Sequence, residues 1–153
     1  MKSILILGST GMLGFGVASS MIKYKNLKIS ATIRSQKKLK TLKSKFPYNK
    51  VKKFHFFDAN RATKSSLVKL FLEYDYIINC IGIIKPEINT SSTQSIKNAI
   101  YINSIFPKLL SESINDKKKI FQIATDCVFS GKKGRYNEKS KHDDLDIYGI
   151  TKS

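Results

Sequence analysis

The stretch KSILILGSTGMLG, residues 2–14, joins a short apolar run to a turn that holds three glycines. The apolar run, residues 2–7, is nearly continuous, as expected for a strand buried on both faces of a sheet. After Gly8, Gly11 and Gly14, a mostly apolar segment extends to about Lys23. The stretch therefore predicts a strand, a tight turn and a helix in direct succession.

Further strands and helices alternate along the chain. We predict strands at residues 27–33, 51–57, 76–81 and 119–125, and helices at residues 36–46, from the Thr63 cap to about Phe71, and at residues 94–114. Such alternation indicates crossover connections and a parallel sheet with helices on both faces. The predicted fold class is therefore α/β, a doubly wound parallel sheet of the Rossmann type with strand order 3-2-1-4-5, in one domain covering residues 1–153.

Several details of these elements are also predicted. In the second strand, Leu27, Ile29, Ala31 and Ile33 alternate toward the core. The helix at 36–46 ends before Pro47, and Pro107 kinks the helix at 94–114. Residues 129–146 are polar and predict a long loop, and long loops in compact domains are usually functional.

Composition limits the class of protein. With 153 residues and 41% hydrophobic residues, the chain can bury a core, which excludes a disordered or low-complexity protein. No apolar run approaches the roughly 18 residues of a membrane span, and no signal peptide is recognisable, so we expect a cytoplasmic protein without a membrane partner. Cys80 and Cys127 lack metal-ligand spacing, and we expect no metal.

The net charge of +17 raises the question of nucleic acid. Of the 28 basic residues, 25 are lysine and only Arg34, Arg61 and Arg135 are arginine, whereas bidentate base readout favours arginine. We expect a solvated basic surface with weak attraction for polyanions and no specific nucleic-acid partner.

The glycine turn lies where the diphosphate of a dinucleotide docks in this kind of fold. Glycines there permit a tight turn and a close approach of the backbone, and the helix N-terminus offers free N–H donors. A plain turn without a ligand is the alternative. The candidate cofactor-binding residues at this turn are Gly8, Thr10, Gly11, Met12, Leu13 and Gly14.

The residue at the end of the second strand normally distinguishes the two nicotinamide cofactors. Here it is Arg34, whose planar guanidinium can pair with a 2′-phosphate, so we predict NADP(H). The alternative is a surface arginine, and Lys37 and Lys38 could assist. Asp58, which ends the third strand, is a candidate adenine contact or a helix cap.

Tyr148 and Lys152 lie one helical turn apart on one face of a predicted helix. A lysine beside a phenol favours the phenolate, so that the tyrosine can serve as a general acid near neutrality. Tyr24 with Lys28 and Tyr48 with Lys52 share the same spacing, so the pattern alone is weak. Only Tyr148 follows the fifth strand, whose last residue, Thr125, can hydrogen-bond the same substrate oxygen.

Five segments carry a closer resemblance. They are GSTGMLG at 8–14, INCIGIIKP at 78–86, YINSIFP at 101–107, IATDCVFSGKKGRYNE at 123–138 and DIYGITK at 146–152. Together they resemble the extended short-chain dehydrogenase/reductases, and within them the dTDP-4-dehydrorhamnose reductase family. The resemblance implies reduction of a 4-keto group on a nucleotide-linked deoxysugar with hydride from NADPH.

The resemblance also implies roles for individual residues. Tyr148 would donate the proton and contact the cofactor, Lys152 would bind the nicotinamide ribose and Thr125 would hold the substrate oxygen. Ile81 and Gly82 would approach the cofactor, and Asn103 would stabilise the packing of the active-site helix. The implied substrate residues are Asp126, Cys127 and Val128.

Two positions depart from the family pattern, since Ala124 replaces the usual serine before Thr125 and Cys127 replaces the usual tyrosine. These changes do not alter the expected reaction class, but they leave the identity of the sugar undetermined. The implied sixth strand and substrate-binding portion do not follow Ser153, so we expect an incomplete enzyme of low activity, with Tyr148 and Lys152 fraying unless something packs on them. The resemblance implies a homodimer for the full-length protein.

Other interpretations stay open at this point. A nucleotide-sugar epimerase or dehydratase shares the Tyr148–Lys152 pair, and a non-catalytic NADP-binding regulatory module is a second alternative. Cys80 and Cys127 form either a redox pair or two small buried core residues. We expect His55 to be an ordinary sheet residue and His142 a solvated one.

Overall fold

The computed structural model describes residues 1–45 and 47–153, without the side chains of Gln36, Lys38 and Thr41. Two compact units are present, the first with Met1–Ile81 and Lys108–Ile123, the second with Gly82–Pro107 and Ala124–Ser153. The strands of the first unit are β1 (Lys2–Leu7), β2 (Leu27–Ile33), β3 (Lys53–Phe56), β4 (Tyr76–Asn79) and β5 (Lys119–Gln122). All their pairings are parallel, in the order β3-β2-β1-β4-β5. The predicted Rossmann fold is confirmed.

The centre of the sheet is buried on both faces. In β1 every residue from Ile4 to Leu7 is buried, as its continuous apolar run predicted. The alternation predicted for β2 is wrong, because every residue from Ile29 to Ile33 is buried. From Ile29 onward both faces of β2 are covered, and Thr32 therefore lies in the interior.

The strands β3, β4 and β5 are shorter than predicted. The ladder between β4 and β5 ends at the pair Asn79 and Gln122, and Asn79 Nδ2 donates to Gln122 Oε1 at 2.7 Å. Beyond this pair, the Ile81 N–H donates to Asn79 Oδ1 at 3.1 Å. The backbone thus leaves the strand where a side chain begins to satisfy its polar groups.

Three helices follow the first three strands, α1 (Met12–Met21), α2 (Gln36–Lys43) and α3 (Lys64–Phe71). The predicted Thr63 cap is confirmed, because Thr63 Oγ1 accepts from Ser66 N and Ser66 Oγ accepts from Thr63 N. The predicted end of the second helix at Phe46 lies outside the described residues. α1 packs on the sheet through Ala18, which shares a core cluster with Ile4, Ile6, Ile29 and Ile78.

The helix predicted at residues 94–114 is interrupted. It consists of α4 (Thr93–Ile100), a π-helical turn (Tyr101–Ile105) and α5 (Phe106–Ser111). Pro107 has no N–H to donate to the carbonyl four residues earlier, and the wider π turn directly precedes it. The proline predicted to kink this helix therefore coincides with a change of helix type.

The second unit also contains α6 (Ile147–Lys152) and, before it, the long loop predicted at residues 129–146, which holds neither helix nor strand. Side chains inside the loop stabilise it. Phe129 stacks on Tyr136 with 4.5 Å between ring centroids, and Asp143 accepts from Ser130 N at 2.8 Å. Within residues 1–45 and 47–153, we find no helix with the length and apolar character needed to cross a membrane.

Candidate functional site

The glycine turn packs so closely that side chains would not fit at two of its positions. Gly8 has a φ of +74°, and a Cβ there would lie 2.8 Å from Ile81 Cγ1. A Cβ on Gly14 would overlap the Gly8 carbonyl oxygen and lie 2.8 Å from Ser9 Cα. The turn, the end of β4 and the start of α1 therefore meet backbone to backbone, as the sequence predicted.

The N-terminus of α1 presents free N–H donors at this turn. Gly11 is the N-cap residue, and no described side chain caps the helix. The first-turn N–H groups of Met12, Leu13 and Gly14 therefore have no acceptor within the helix. The side chains of Met12 and Leu13 are exposed. These donors and the partial positive charge of the helix end suit a phosphate group.

Two buried residues outside the turn hold it in place, and neither was singled out for this in the sequence. Thr32 in β2 accepts from Gly8 N at 3.0 Å through Oγ1, and its carbonyl accepts from Ser9 Oγ at 2.9 Å. The Tyr48 hydroxyl donates to the Ser9 carbonyl at 2.6 Å. A buried threonine in an apolar strand was the available signal for the first residue. No local pattern indicated the second.

Arg34 and Asp58 line one cavity of about 340 Å³ at the ends of β2 and β3, together with Phe56, Phe57, Arg61, Ala62 and Ser66. Arg34 is exposed. Asp58 caps the 3-10 turn Ala59–Arg61 by accepting from Asn60 N at 3.1 Å. The cap interpretation of Asp58 thus holds, while its carboxylate also borders the cavity. Two guanidinium groups and one carboxylate line this cavity, and Arg61 Nε lies 3.8 Å from Asp58 Oδ2.

The two cysteines differ in their surroundings. Cys80 is half-buried, and burial raises the pKa of its thiol to about 11, so it stays protonated. Cys127 is exposed, so the prediction that it is a small core residue is wrong. It lies in the 3-10 turn Asp126–Val128, where only Val128 is buried. Both thiols are free, and among the described residues no group of three or more His, Cys, Asp or Glu could hold a metal ion.

The residues after β5 form a short polar turn in the second unit. Thr125 caps it, since its Oγ1 accepts from Cys127 N at 3.2 Å. As the acceptor in this bond, Oγ1 keeps its own proton for donation. Asp126 is exposed, but Val128 is 5% exposed and its carbonyl accepts from Asp143 N and Asp144 N. The side chain of Val128 is thus interior, whereas those of Asp126 and Cys127 are exposed.

Of the three tyrosine–lysine pairs with four-residue spacing, only Tyr148 and Lys152 lie in one α-helix. Both are half-buried, and burial lowers the pKa of the Lys152 ammonium. Asp146 is the N-cap residue of α6, and its carboxylate accepts from Gly149 N at 2.8 Å. The capping aspartate was missed in the sequence, although aspartate directly before a short helix is a typical N-cap signal.

Other residues pack against α6, so the condition under which Tyr148 and Lys152 were expected not to fray is met. Asn103 Nδ2 donates to Thr151 Oγ1 at 3.1 Å, and Ser104 Oγ donates to the Thr151 carbonyl at 2.6 Å. The side-chain amide of Asn103 also accepts from Ile83 N through Oδ1 and donates to the Ile83 carbonyl through Nδ2. The predicted packing role of Asn103 is confirmed. A Cβ on Gly149 would overlap the Cys127 carbonyl oxygen, so α6 also lies against the turn after β5.

The sequence-predicted residues thus fall into two groups. The glycine turn, Arg34, Asp58 and Ile81 belong to the first unit, and Gly82, Thr125, Tyr148 and Lys152 belong to the second.

The family model of the RmlD substrate binding domain matches residues 1–153, the whole chain.

The chain belongs to the RmlD substrate binding domain family. This confirms the family resemblance that the five sequence segments indicated. No curated protein matches the chain.

Solved structures share the fold of this RmlD-family chain. UDP-glucuronic acid 4-epimerase from Bacillus cereus, in complex with UDP-glucuronic acid and NAD, is 22% identical with a TM-score of 0.77, over 98% of this chain and 48% of that one. UDP-N-acetylglucosamine 4-epimerase from Methanobrevibacter ruminantium M1 is 16% identical with a TM-score of 0.76, over 99% and 47%. A short chain dehydrogenase from Escherichia coli CFT073, complexed with NADPH, is 15% identical with a TM-score of 0.70, over 99% and 65%. The chain spans about half the length of both epimerases.

Proposed function

We propose that the chain binds NADP(H) and serves in the reduction of a 4-keto group on a nucleotide-linked deoxysugar. The observation that carries this proposal is the glycine turn, where α1 begins without a side-chain cap and backbone lies in contact with backbone. Such a turn accepts a diphosphate because N–H donors and close approach are both available. Family membership supports the sugar-nucleotide part of the proposal.

The residues at the turn fit a nicotinamide dinucleotide. Gly8 and Gly14 have no room for side chains, so the phosphate-facing surface is backbone, and the N–H groups of Met12 and Leu13 are the proposed donors. Thr10, Gly11, Ile81 and Gly82 complete the proposed contacts. The cofactor supplies hydride to the carbonyl carbon when it is bound.

The proposed preference for NADP(H) over NAD(H) rests on Arg34. Its guanidinium borders the cavity at the ends of β2 and β3, where Asp58 is the proposed adenine contact. A planar guanidinium can pair with both oxygens of a 2′-phosphate, whereas a ribose hydroxyl offers it no charge to pair with. Arg61 lines the same cavity, where its guanidinium is paired with the Asp58 carboxylate.

The proton chemistry is assigned to the second unit. Tyr148 donates its phenolic proton to the oxygen of the reduced carbonyl, and Thr125 donates a hydrogen bond to the same oxygen. Lys152 carries a half-buried ammonium whose pKa is lowered by burial, and its proposed roles are to bind the nicotinamide ribose and to stabilise the Tyr148 phenolate. The exposed Asp126 and Cys127 are the proposed substrate contacts.

A nucleotide-sugar 4-epimerase is the second candidate function. Two of the proteins with the same fold are UDP-sugar 4-epimerases, and one of them was solved with NAD. In an epimerase the hydride returns to the sugar, so the cofactor is not consumed, whereas a reductase converts one NADPH to NADP⁺ for each keto group. A non-catalytic NADP-binding module would bind the cofactor without either reaction.

The test is a fluorescence titration of the purified chain with NADPH and NADH, followed by incubation of the full-length protein with a 4-keto nucleotide sugar and, separately, with a 4-hydroxy nucleotide sugar. The proposal expects tighter binding of NADPH and oxidation of one NADPH per sugar reduced. Binding of neither nucleotide would overturn it. Inversion at C4 of the 4-hydroxy sugar with unchanged cofactor would support the epimerase, and cofactor binding by the full-length protein without either reaction would support the regulatory module.

The proposal also includes the cellular setting and assembly that the sequence predicted. We propose a cytoplasmic location, where NADPH is available, and a homodimer for the full-length protein. Fractionation of cells and size-exclusion chromatography with light scattering test these two points. Secretion, or a monomeric full-length protein, would contradict them.

A further inference from the structure

The buried phenol of Tyr48 makes contact with the glycine turn from outside. Tyr48 is 3% exposed, and its ring lies near Phe15 of α1 and Phe54 of β3, with centroid distances of 6.1 and 6.3 Å. Its hydroxyl donates to the carbonyl of Ser9, which is fully buried. Rings from two elements therefore fix the position of the hydroxyl that bonds the turn.

This bond sets the orientation of one peptide plane. In a trans peptide, the carbonyl of one residue and the N–H of the next point in opposite directions. Because the Ser9 carbonyl is directed at Tyr48, the Thr10 N–H points away from Tyr48. Thr32 acts on the same turn by accepting from Gly8 N and from Ser9 Oγ. The backbone on both sides of Ser9 is thereby held from outside the turn.

We propose that Tyr48 is a positioning residue for the diphosphate of the bound dinucleotide, acting by holding the Ser9–Thr10 peptide in its binding orientation. The inference rests on the proposed function and adds the residue that prepares the turn for its ligand. A turn that is already ordered binds at a lower entropic cost than one that must be ordered by the ligand.

Two properties suit Tyr48 to this role. Burial raises the pKa of the Tyr48 phenol, so it remains a protonated donor at neutral pH. Its loss would leave the buried Ser9 carbonyl without this donor, and a buried polar group without a partner is costly. The peptide would then rotate toward other donors, and the Thr10 N–H would rotate with it.

The test compares Tyr48→Phe with Tyr24→Phe, a control at a tyrosine that is 61% exposed. Three ligands are titrated, namely NADPH, 2′-phospho-ADP-ribose and adenosine 2′-phosphate, of which the last has no diphosphate. We expect Tyr48→Phe to weaken the first two on the order of tenfold and to leave the third unchanged. Circular dichroism and thermal unfolding establish that each variant is folded.

A second pair of variants gives the same test without touching Tyr48. Thr32→Val removes the acceptor for Gly8 N and should weaken the binding of the two diphosphate ligands only. Thr32→Ser keeps the acceptor and should retain their binding. The positioning role is overturned if Tyr48→Phe binds all three ligands as the wild type does. It is also overturned if the variant loses all three equally. Failure of the wild-type chain to bind any of them would instead refute the proposed function, and the inference with it.

Discussion

Lys85 Nζ donates to Asp146 Oδ2 at 2.6 Å, and the other oxygen of the same carboxylate accepts from Gly149 N at 2.8 Å. One side chain thus joins the segment after β4 to the start of the helix that carries Tyr148. The hydrogen bond from Lys85, the Gly149 bond and the lysine charge hold the pKa of Asp146 below its usual range. The carboxylate therefore stays ionised to a lower pH than that of an ordinary aspartate.

Asp146→Ala should open α6. Loss of an N-cap costs about 0.5–2 kcal/mol, so amide hydrogen exchange in residues 147–152 should accelerate. Lys85→Met is the control, because it removes the ion pair and leaves the cap, and an exposed pair contributes little. If Lys85→Met accelerated exchange as much as Asp146→Ala, the ion pair and not the cap would hold the helix.

Gly14→Ala should abolish nucleotide binding, because its Cβ would overlap the Gly8 carbonyl oxygen. Gly16→Ala, in the same helix, meets nothing within 4 Å. It should bind as the wild type does and raise the free energy of unfolding by about 0.5–1 kcal/mol. Denaturant unfolding and NADPH titration of both variants check this contrast. Normal binding by Gly14→Ala would mean that the turn is looser than its geometry indicates.

Arg34→Ala should weaken NADPH by a larger factor than NADH. In our proposal the guanidinium pairs with the 2′-phosphate that only NADPH carries, and a charged hydrogen bond contributes about 1.5–3 kcal/mol. Arg135→Ala, at an exposed arginine of the other unit, controls for the change in net charge. Equal weakening of both nucleotides, measured by fluorescence, would remove Arg34 from phosphate recognition.

Tyr148→Phe should lower the rate of sugar reduction by roughly 10²–10⁴-fold, the usual contribution of a positioned general acid. NADPH binding should weaken far less than the rate falls, since the variant loses only the phenolic hydroxyl group. Tyr24→Phe is the matched control, because Tyr24 has the same spacing to a lysine but lies outside any helix. The two variants are compared by following NADPH oxidation. Full activity of Tyr148→Phe would assign the proton to another group.

Acid should destabilise the fold through His55. Burial lowers the pKa of His55, and its Nε2 lies 2.6 Å from the Tyr74 hydroxyl. Below the ordinary histidine pKa of about 6.5, the unfolded chain therefore binds the proton more readily than the folded protein does. The free energy of unfolding should fall as the pH drops below about 6.5 and stop falling, for this group, below the lowered pKa.

Thermal unfolding between about pH 5 and pH 8 measures this effect. In His55→Gln this part of the pH dependence should disappear, whereas the exposed His142→Gln should keep it. The same slope in wild type and His55→Gln would attribute the acid sensitivity to other groups.

Local pattern was enough for much of the fold. The apolar run of β1, the glycine turn after it, the Thr63 cap and the order of strands and helices follow from short-range spacing and from the rules for parallel crossovers. The helical pairing of Tyr148 with Lys152 was predictable for the same reason. Each depends on residues within a few positions of one another.

Tertiary structure alone decided the rest, because it depends on which distant residues share a neighbourhood. The strands β3, β4 and β5 end where their partners end, and Ser30 and Thr32 of β2 are buried because both faces of this part of the sheet are covered. Val128 is interior and Cys127 exposed through packing that no local spacing records. Tyr48 reaches Ser9 across 39 positions of sequence, and Asn103 reaches Thr151 across 48. A hydrogen bond between such residues requires the folded chain, since nothing in either local segment specifies its partner.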